Sequence, residues 1–465
     1  MYYIPVMVGQ DLDRSLGLYP VMMISMGAMI GSGIFVLPAL GYKKAGLTVI
    51  LAYLLAAIVV LPAALSKAEM ATAMPESGGT YLYIDRALGP LFGTIAGIGA
   101  WFSLTFKSSF ALVGLGAYLL LLIPISQGTI TFVALGLGTL VVGLNVSGTK
   151  LSGQIQAVIV SIVLVGLFAY TLDATRTIET GQFTPFFTGE EIDIVTAAAF
   201  VFVSYAGVTK IASIAEEVKN PGRNLPRAMI GSLVVMAVIY IAVVGAVIGL
   251  SDPETLTHGG PEGTASLTPM ADGAEALFGG FGVAIVSILA IVALTSMGNA
   301  GVMSSSRFPL AMSRDDLLPP VLGRIDDRFT TPRNSILLTG VVLLGLIVFV
   351  PVIELAKLAS AFQILVFSII NLALIAFREA GDSSYDPEFV APGYPYVQIF
   401  GFLAGVGLLT QMGTVPMVGA VGIITGSAAI YLLYGRPRTD RTGAIGTIRS
   451  RGDERAEDAP PTETD

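Results

Sequence analysis

Gly27-Ala28-Met29-Ile30-Gly31-Ser32-Gly33-Ile34-Phe35-Val36-Leu37-Pro38 stands in the middle of an apolar stretch that runs from about Ser15 to Leu40. Three glycines and a serine fall where an unbroken membrane helix prefers leucine or alanine. Glycine weakens a helix there and lets other groups approach the backbone. In lipid, a broken helix leaves N–H and C=O groups unpaired, and these are tolerated only where they line a cavity or a ligand. Freed N–H groups at a positive helix end suit a carboxylate. Small residues also let helices pack closely, so this run alone leaves both readings open.

A second run has the same character: Phe202-Val203-Ser204-Tyr205-Ala206-Gly207-Val208-Thr209-Lys210-Ile211-Ala212-Ser213-Ile214-Ala215-Glu216-Glu217-Val218-Lys219-Asn220-Pro221. It too puts small and polar residues in the middle of an apolar span. Interrupted helices at matching places in two halves of a chain are the best sequence pointer to a transporter site. The first run lies in span one, which opens the first half, and the second in span six, which opens the second half. The pairing favours a binding site over packing alone.

Working outward, further apolar stretches fall near 46–65, 81–122, 130–145, 152–172, 194–218, 228–250, 281–312, 335–350, 353–377, 397–412 and 416–434. Each is read as one crossing, at about 20 residues per span. The chain has 465 residues, 54% hydrophobic and 12% charged, against about 25% charged in ordinary soluble domains. The predicted class is therefore an all-α polytopic membrane protein with twelve transmembrane helices. Its predicted organisation is a cytoplasmic N-terminus (1–14), a first five-helix repeat (15–172), an external loop (173–193), a second five-helix repeat (194–377), helices eleven and twelve (378–434) and a disordered cytoplasmic tail (435–465). The start carries no basic segment leading into a short apolar core and cleavage site, so no signal peptide is read. With the N-terminus inside, 19 of the 25 basic residues lie in cytoplasmic segments, as the positive-inside rule requires. The protein is placed in the cell membrane with both termini cytoplasmic.

Composition also excludes chemistries. There is no cysteine and a single histidine, His258. Thiolate catalysis, cysteine metal sites and bis-histidine haem are ruled out. No phosphate-binding G-x-x-x-x-G-K-[ST] loop occurs. No enzyme activity, metal, cofactor or nucleic-acid partner is expected. An acid excess of 33 against 25 bases, only eight of them lysine, resembles proteins of salt-loving microbes.

Four motifs in order make the chain resemble an amino acid permease of the amino acid–polyamine–organocation superfamily. They are Gly31-Ser32-Gly33-Ile34-Phe35; Lys67-Ala68-Glu69 with Pro75-Glu76-Ser77-Gly78-Gly79-Thr80-Tyr81; Ala215-Glu216-Glu217-Val218-Lys219-Asn220-Pro221-Gly222-Arg223-Asn224-Leu225-Pro226; and Ser305-Ser306-Arg307 with Ala311-Met312-Ser313-Arg314-Asp315-Asp316-Leu317-Leu318-Pro319. The resemblance covers about Ser15 to Tyr434. It implies a five-plus-five inverted-repeat fold like that of the leucine transporter, with two extra helices, and alternating access around a midplane site. Carried over, the backbone at Ile30, Gly31, Ser32 and Gly33 would hold the substrate carboxylate. Carbonyls around Phe202, Val203 and Tyr205, in the break that also contains Ser204, Ala206 and Gly207, would receive the ammonium. Phe202 and Tyr205 are the gate candidates, with ordinary aromatic packing the alternative.

Ser103, Leu104, Lys107 and Ser108 share one face of span three. Ser103, Leu104 and Ser108 align with positions that line the site in relatives, and Lys107 lies beside them. An intramembrane ammonium is expensive and needs a cavity or a partner. In the pocket, Lys107 would disfavour cationic substrates, so neutral or acidic amino acids are preferred; polyamines or cationic amino acids are the alternative, and a non-transporting amino acid receptor is the alternative of another class. Gating or coupling candidates are Lys210, Glu216 and Glu217, each with a structural ion-pair alternative. Some proton-coupled relatives place a lysine where this chain has Ser161, a departure that leaves the coupling ion open. Lys107 or Lys210 would serve a proton, Thr295 and Ser296 a sodium ion, and exchange without ion coupling is a third reading.

Overall fold

Glycines and prolines set the helix boundaries in the computed structural model, which describes residues 14, 16–74, 79–123, 129–148, 153–178, 180–187, 191–381 and 385–446. Expectations for residues 1–13, Ser15, Pro75–Gly78, Lys150, 188–190 and 447–465 lie outside them. Helix α1 (Leu18–Met29) ends where Ile30 turns extended, at φ −68° and ψ 121°. After Gly31 come the single turn α2 (Ser32–Phe35) and, past Val36, α3 (Leu37–Ala45), with Pro38 in its first turn. The first apolar stretch is thus three pieces, and the quoted glycine run is its joint. Helix α4 is Val49–Ala73.

The stretch expected as one helix from Tyr81 to Leu122 is two. Gly89 has φ +88° and separates α5 (Gly79–Leu88) from α6 (Pro90–Leu122). Proline at the first position of α6 lacks only an N–H that would be unpaired there anyway. Then follow α7 (Ile130–Val146), α8 (Gly153–Thr177) and α9 (Glu191–Val201). From Phe202 to Glu217 the chain winds as a 3₁₀ helix. The second expected break is therefore a change of helix type beginning at Phe202, with a kink at Ile214.

Helix α10 (Pro221–Leu250) starts seven residues before the expected Ala228. Asn220 in the left-handed region turns the chain, and Pro221 occupies the first helical position. The proline-punctuated segment is thus largely the opening of that helix. The short α11 (Pro253–His258) is capped by the Asp252 carboxylate, which accepts from the Glu254 and Thr255 amides. Then come α12 (Pro269–Ser305), kinked at Gly279, α13 (Arg307–Arg314), α14 (Arg333–Phe349), α15 (Val352–Ala380), α16 (Tyr396–Thr410) and α17 (Thr414–Ile430). No strand occurs among the described residues.

Helices α6 and α15 run through the middle, with α12 packed against α6 and α16 against α15. Large apolar side chains face outward on the periphery, among them Phe132, Phe168, Phe281, Val341 and Phe349. Among the described residues, eight helical stretches are long and apolar enough to cross a membrane, and four shorter apolar helices accompany them. Water would not tolerate so wide an apolar exterior; a bilayer does.

Charged groups are paired at the face where α1 begins. Glu69 of α4 is fully buried and binds Arg378 of α15 at 2.8 and 2.5 Å, the Tyr385 hydroxyl at 3.1 Å and the Ala391 amide at 2.7 Å. Arg441, in the segment expected as a disordered tail, reaches Asp85 at 3.1 Å and Asp315 at 3.5 Å, and Tyr81 donates to Asp315 at 2.7 Å. Burial lifts the Asp85 carboxyl to about 6, and Arg441 opposes that rise. Up to Gly446 the tail is therefore docked, because it covers a buried carboxylate. Arg441→Ala should speed tryptic cleavage after Arg438 in the folded protein several-fold; unchanged cleavage would show that the ion pairs do not hold the segment.

Candidate functional site

Helix α1 and the 3₁₀ segment cross backbone to backbone at Gly207. A methyl group there would lie 2.3 Å from the Ala28 carbonyl carbon and 2.6 Å from the Met29 nitrogen. Only a residue without a Cβ permits that approach. The end of α1 and the start of the 3₁₀ segment are thereby held in one place, deep in the bundle.

The break at Gly31 and the change of helix type at Phe202 leave carbonyls to be satisfied, and tyrosines do most of this. The Tyr240 hydroxyl of α10 lies 2.8 Å from the Met29 carbonyl and 3.1 Å from that of Ser204, one on each broken element. Tyr53 of α4 donates to Gly33 O at 2.7 Å, and Tyr118 of α6 to Phe35 O at 2.7 Å. Ser360 of α15 splices the second break: its hydroxyl donates to Phe200 O at 2.7 Å and accepts from the Val203 amide at 3.1 Å. Lys107 completes the set, its ammonium 3.3 Å from Ala28 O. A cation suits the last turn of α1, where the helix dipole is negative.

At the start of α2 the Ile34 and Phe35 amides turn back onto Gly31 O, both at 3.0 Å. The Ser32 amide faces the Met297 sulfur of α12 at 3.3 Å. A Cβ on Gly33 would come within 2.7 Å of the Ser204 hydroxyl and 2.9 Å of the Tyr240 hydroxyl. Ser204 Oγ itself is buried, beside the Tyr53 and Tyr240 hydroxyls.

The residues singled out in the sequence thus fall into groups. Ile30, Gly31, Ser32, Gly33, Ser204 and Gly207 meet at the crossing, with Ala206 buried beside them. Phe202 is buried edge-on against Phe367. Tyr205 is fully buried, with its hydroxyl bound to Tyr53 O at 3.0 Å and its ring edge-on to Tyr240. That tether makes Tyr205 a strut between α4 and the 3₁₀ segment. Ser103 is turned to α15, donating to Ala359 O or Gln363 Oε1. Ser108 bonds Leu104 O of its own helix at 2.7 Å, as hydroxyls in membrane helices commonly do.

The coupling candidates scatter. Ser161 joins α8 to α1 near Tyr19, its hydroxyl bonding Ala157 O. Thr295 is exposed on α12, and the residue of that helix that meets the break is Met297. Ser296, next to it, is half-buried. Glu217 contributes its carbonyl to the Leu16 amide at 3.0 Å, so the chain entering α1 is stitched to the end of the 3₁₀ segment. Lys210 makes no ion pair among the described residues, and its charge lies within electrostatic reach of Lys107 and Arg307. Glu216 lies near the end of the same segment. Tyr53, Tyr118, Tyr240, Met297 and Ser360 were missed. The three tyrosines did carry a signal: a hydroxyl inside an apolar span needs an acceptor, and broken helices supply acceptors.

A helix broken at Gly31 crosses one that changes from α to 3₁₀ at Phe202, inside a bundle whose apolar exterior marks a multi-pass membrane protein. The profile of the amino acid permease family matches residues 16–435, and the chain belongs to that family, within the amino acid–polyamine–organocation superfamily. It is 28% identical to the branched-chain amino acid permease BcaP of Bacillus subtilis, over 92% of this chain and 94% of that one. It is 27% identical to a methylthioribose transporter of the same organism, again over 92% and 94%. It is 25% identical to the serine/threonine exchanger SteT of Bacillus subtilis, over 91% and 97%.

Proposed function

We propose that the chain is a secondary active transporter that moves amino acids across the cell membrane by alternating access. The observation that carries this is the Gly207 crossing, where Tyr240 holds carbonyls of both broken elements. Such a joint lets two groups of helices tilt about a fixed point. In this reading there are twelve spans, the eight long apolar stretches and the four shorter helices, arranged as two inverted five-helix repeats with two helices added. Both termini are cytoplasmic, which puts the paired Glu69–Arg378 and Asp85–Arg441 face inside. The substrate carboxylate meets the backbone from Ile30 to Gly33, the ammonium meets carbonyls of the 3₁₀ segment, and Phe202 closes over them.

Substrates are neutral or acidic amino acids in preference to cationic ones. The charge at the joint is Lys107, and the carboxylates of the helices nearby are committed elsewhere: the buried Glu69 and Asp85 to Arg378 and Arg441, and the half-buried Glu354 and Asp272 to Lys357 and Ser266. The branched-chain and serine/threonine relatives fit a neutral substrate. A proton is the first candidate for the coupling ion, carried on or off Lys107 at Ala28 O.

Purified protein in liposomes tests this with leucine, serine, glutamate and arginine, proton and sodium gradients being imposed separately. Leucine or serine uptake should exceed arginine uptake at least tenfold. Faster arginine uptake would establish the cationic alternative, and binding without uptake a receptor. Lys107→Ala should raise arginine uptake relative to leucine at least threefold or flatten the dependence on the proton gradient. An unchanged profile would assign Lys107 to structure alone.

A further inference from the structure

We propose that Met297 is a stopper in the joint that the substrate displaces, and so a residue that sets substrate affinity. The inference rests on the reading that the Ile30–Gly33 backbone takes a carboxylate. Met297 comes from α12, 265 positions along the chain from Ser32, and its sulfur accepts from both the Ser32 amide at 3.3 Å and the Ser32 hydroxyl at 3.7 Å. It also fills the space beside Gly31, where a Cβ would lie 2.0 Å from that sulfur. Met297 is buried.

A thioether is a weak acceptor. It stands on a donor that hydrogen-bonds a charged group far better, since bonds to charged partners are about twice as strong as neutral ones. Apolar filling explains a buried methionine, but it does not require the sulfur to face both donors of one serine. A second polar group lies at the same joint. Ser204 is fully buried, and its hydroxyl faces Gly33 beside the Tyr53 and Tyr240 hydroxyls. The joint therefore holds one donor pair capped by a poor partner, with a hydroxyl on the second of the two elements a zwitterion would bridge. Buried donors normally find good partners, so the Ser32 pair marks a place that a polar ligand completes. Methionine is suited to giving way. It is unbranched, with three rotatable bonds and a polarizable sulfur. Its side chain leaves Ser32 by rotating while α12 stays in place.

In this mechanism the empty site is closed by Met297. An arriving carboxylate takes over the Ser32 amide, and the thioether swings off to pack against the substrate. The occupant and the stopper compete for one donor, so weakening the stopper strengthens binding.

The test uses the full chain in nanodiscs, labelled with [methyl-¹³C]methionine, with the Met297 resonance identified by its loss in Met297→Leu. L-leucine should shift that resonance. Isoamylamine, the same molecule without its carboxylate, should leave it in place. Met297→Leu, of similar volume but with no acceptor, should bind leucine two- to fivefold more tightly by calorimetry. A Met297 signal that stays put while calorimetry shows leucine bound, or a Met297→Leu protein that binds no more tightly than the parent, overturns the proposal and leaves the site reading intact. Leucine that does not bind the parent at all overturns the neutral-substrate reading, and the stopper with it.

Discussion

Gly207→Ala is expected to reduce uptake by at least tenfold, a larger loss than alanine at either glycine of the first break. The added methyl would sit 2.3 Å from the Ala28 carbonyl carbon, 2.4 Å from its oxygen and 2.6 Å from the Met29 nitrogen. These are backbone atoms and cannot rotate away. The two elements must separate by about 1 Å, and overpacking of a tight core costs about 1–3 kcal/mol. The same displacement draws the Met29 and Ser204 carbonyls away from the Tyr240 hydroxyl that lies between them. At Gly31 the closest clash falls on the flexible end of Met297, which can rotate away, and at Gly33 on the Ser204 hydroxyl and Cβ and the Tyr240 hydroxyl, so both meet side chains rather than the backbone atoms that Gly207 meets. The comparison is uptake in liposomes at matched protein content, with size-exclusion profiles to confirm that each variant is folded. Parental uptake by Gly207→Ala would mean that the crossing is not the pivot.

Arg378→Ala is expected to have the largest effect on stability. It leaves the Glu69 carboxylate, with no exposure to solvent, on one hydroxyl and one amide. Breaking a buried pair by removing one partner costs about 3–5 kcal/mol, because the remaining charge is uncompensated. Arg378 also stacks its guanidinium on Tyr394 at 4.3 Å and bonds Ala391 O at 3.2 Å, so the change loosens the 385–395 segment together with α4 and α15. The thermal midpoint in detergent should fall by several degrees. Glu69→Gln combined with Arg378→Met removes both charges and should recover most of the loss. An unaltered midpoint for the single variant would show that Glu69 reaches water by another route.

Much of this architecture is written in local chemistry. Glycine at 31 and 33, in a stretch otherwise apolar enough to span a bilayer, announces a joint because no other residue gives up helix so readily there. The alternation of long apolar runs with short charged ones marks a multi-pass protein for the same reason that it is insoluble in water. The second break was harder to delimit. A 3₁₀ stretch forms the same kind of local bond as an α-helix, only one residue tighter, so Phe202–Glu217 carries no composition of its own. The helix boundary at Gly89-Pro90 is carried by that dipeptide and by the charged Asp85-Arg86 before it, signals that a single span over 81–122 passes over.

The side chains at the site divide by a different rule. Ser103, Leu104, Lys107 and Ser108 share one helical face, but a face is wide. Within it Ser103 turns to α15, Ser108 bonds its own backbone, and Lys107 alone reaches the end of α1. Thr295 and Met297 are two residues apart on α12 and face opposite ways, so the hydroxyl that looked like an ion ligand is exposed and the apolar neighbour meets the break. Arg441 lies in a segment whose composition reads as disordered, and it is held by two carboxylates far from it in the chain.

That the chain crosses a membrane many times, and that its first span comes apart near Gly31, follows from residue types alone, because lipid penalises unpaired backbone wherever it occurs. Which groups then satisfy that backbone depended on helices brought together from across the chain. Tyr240 lies 211 positions from Met29, and Met297 lies 265 from Ser32. A hydrogen bond needs its partner within about 3 Å, and no periodicity along a helix says which distant residue packing will carry to that spot.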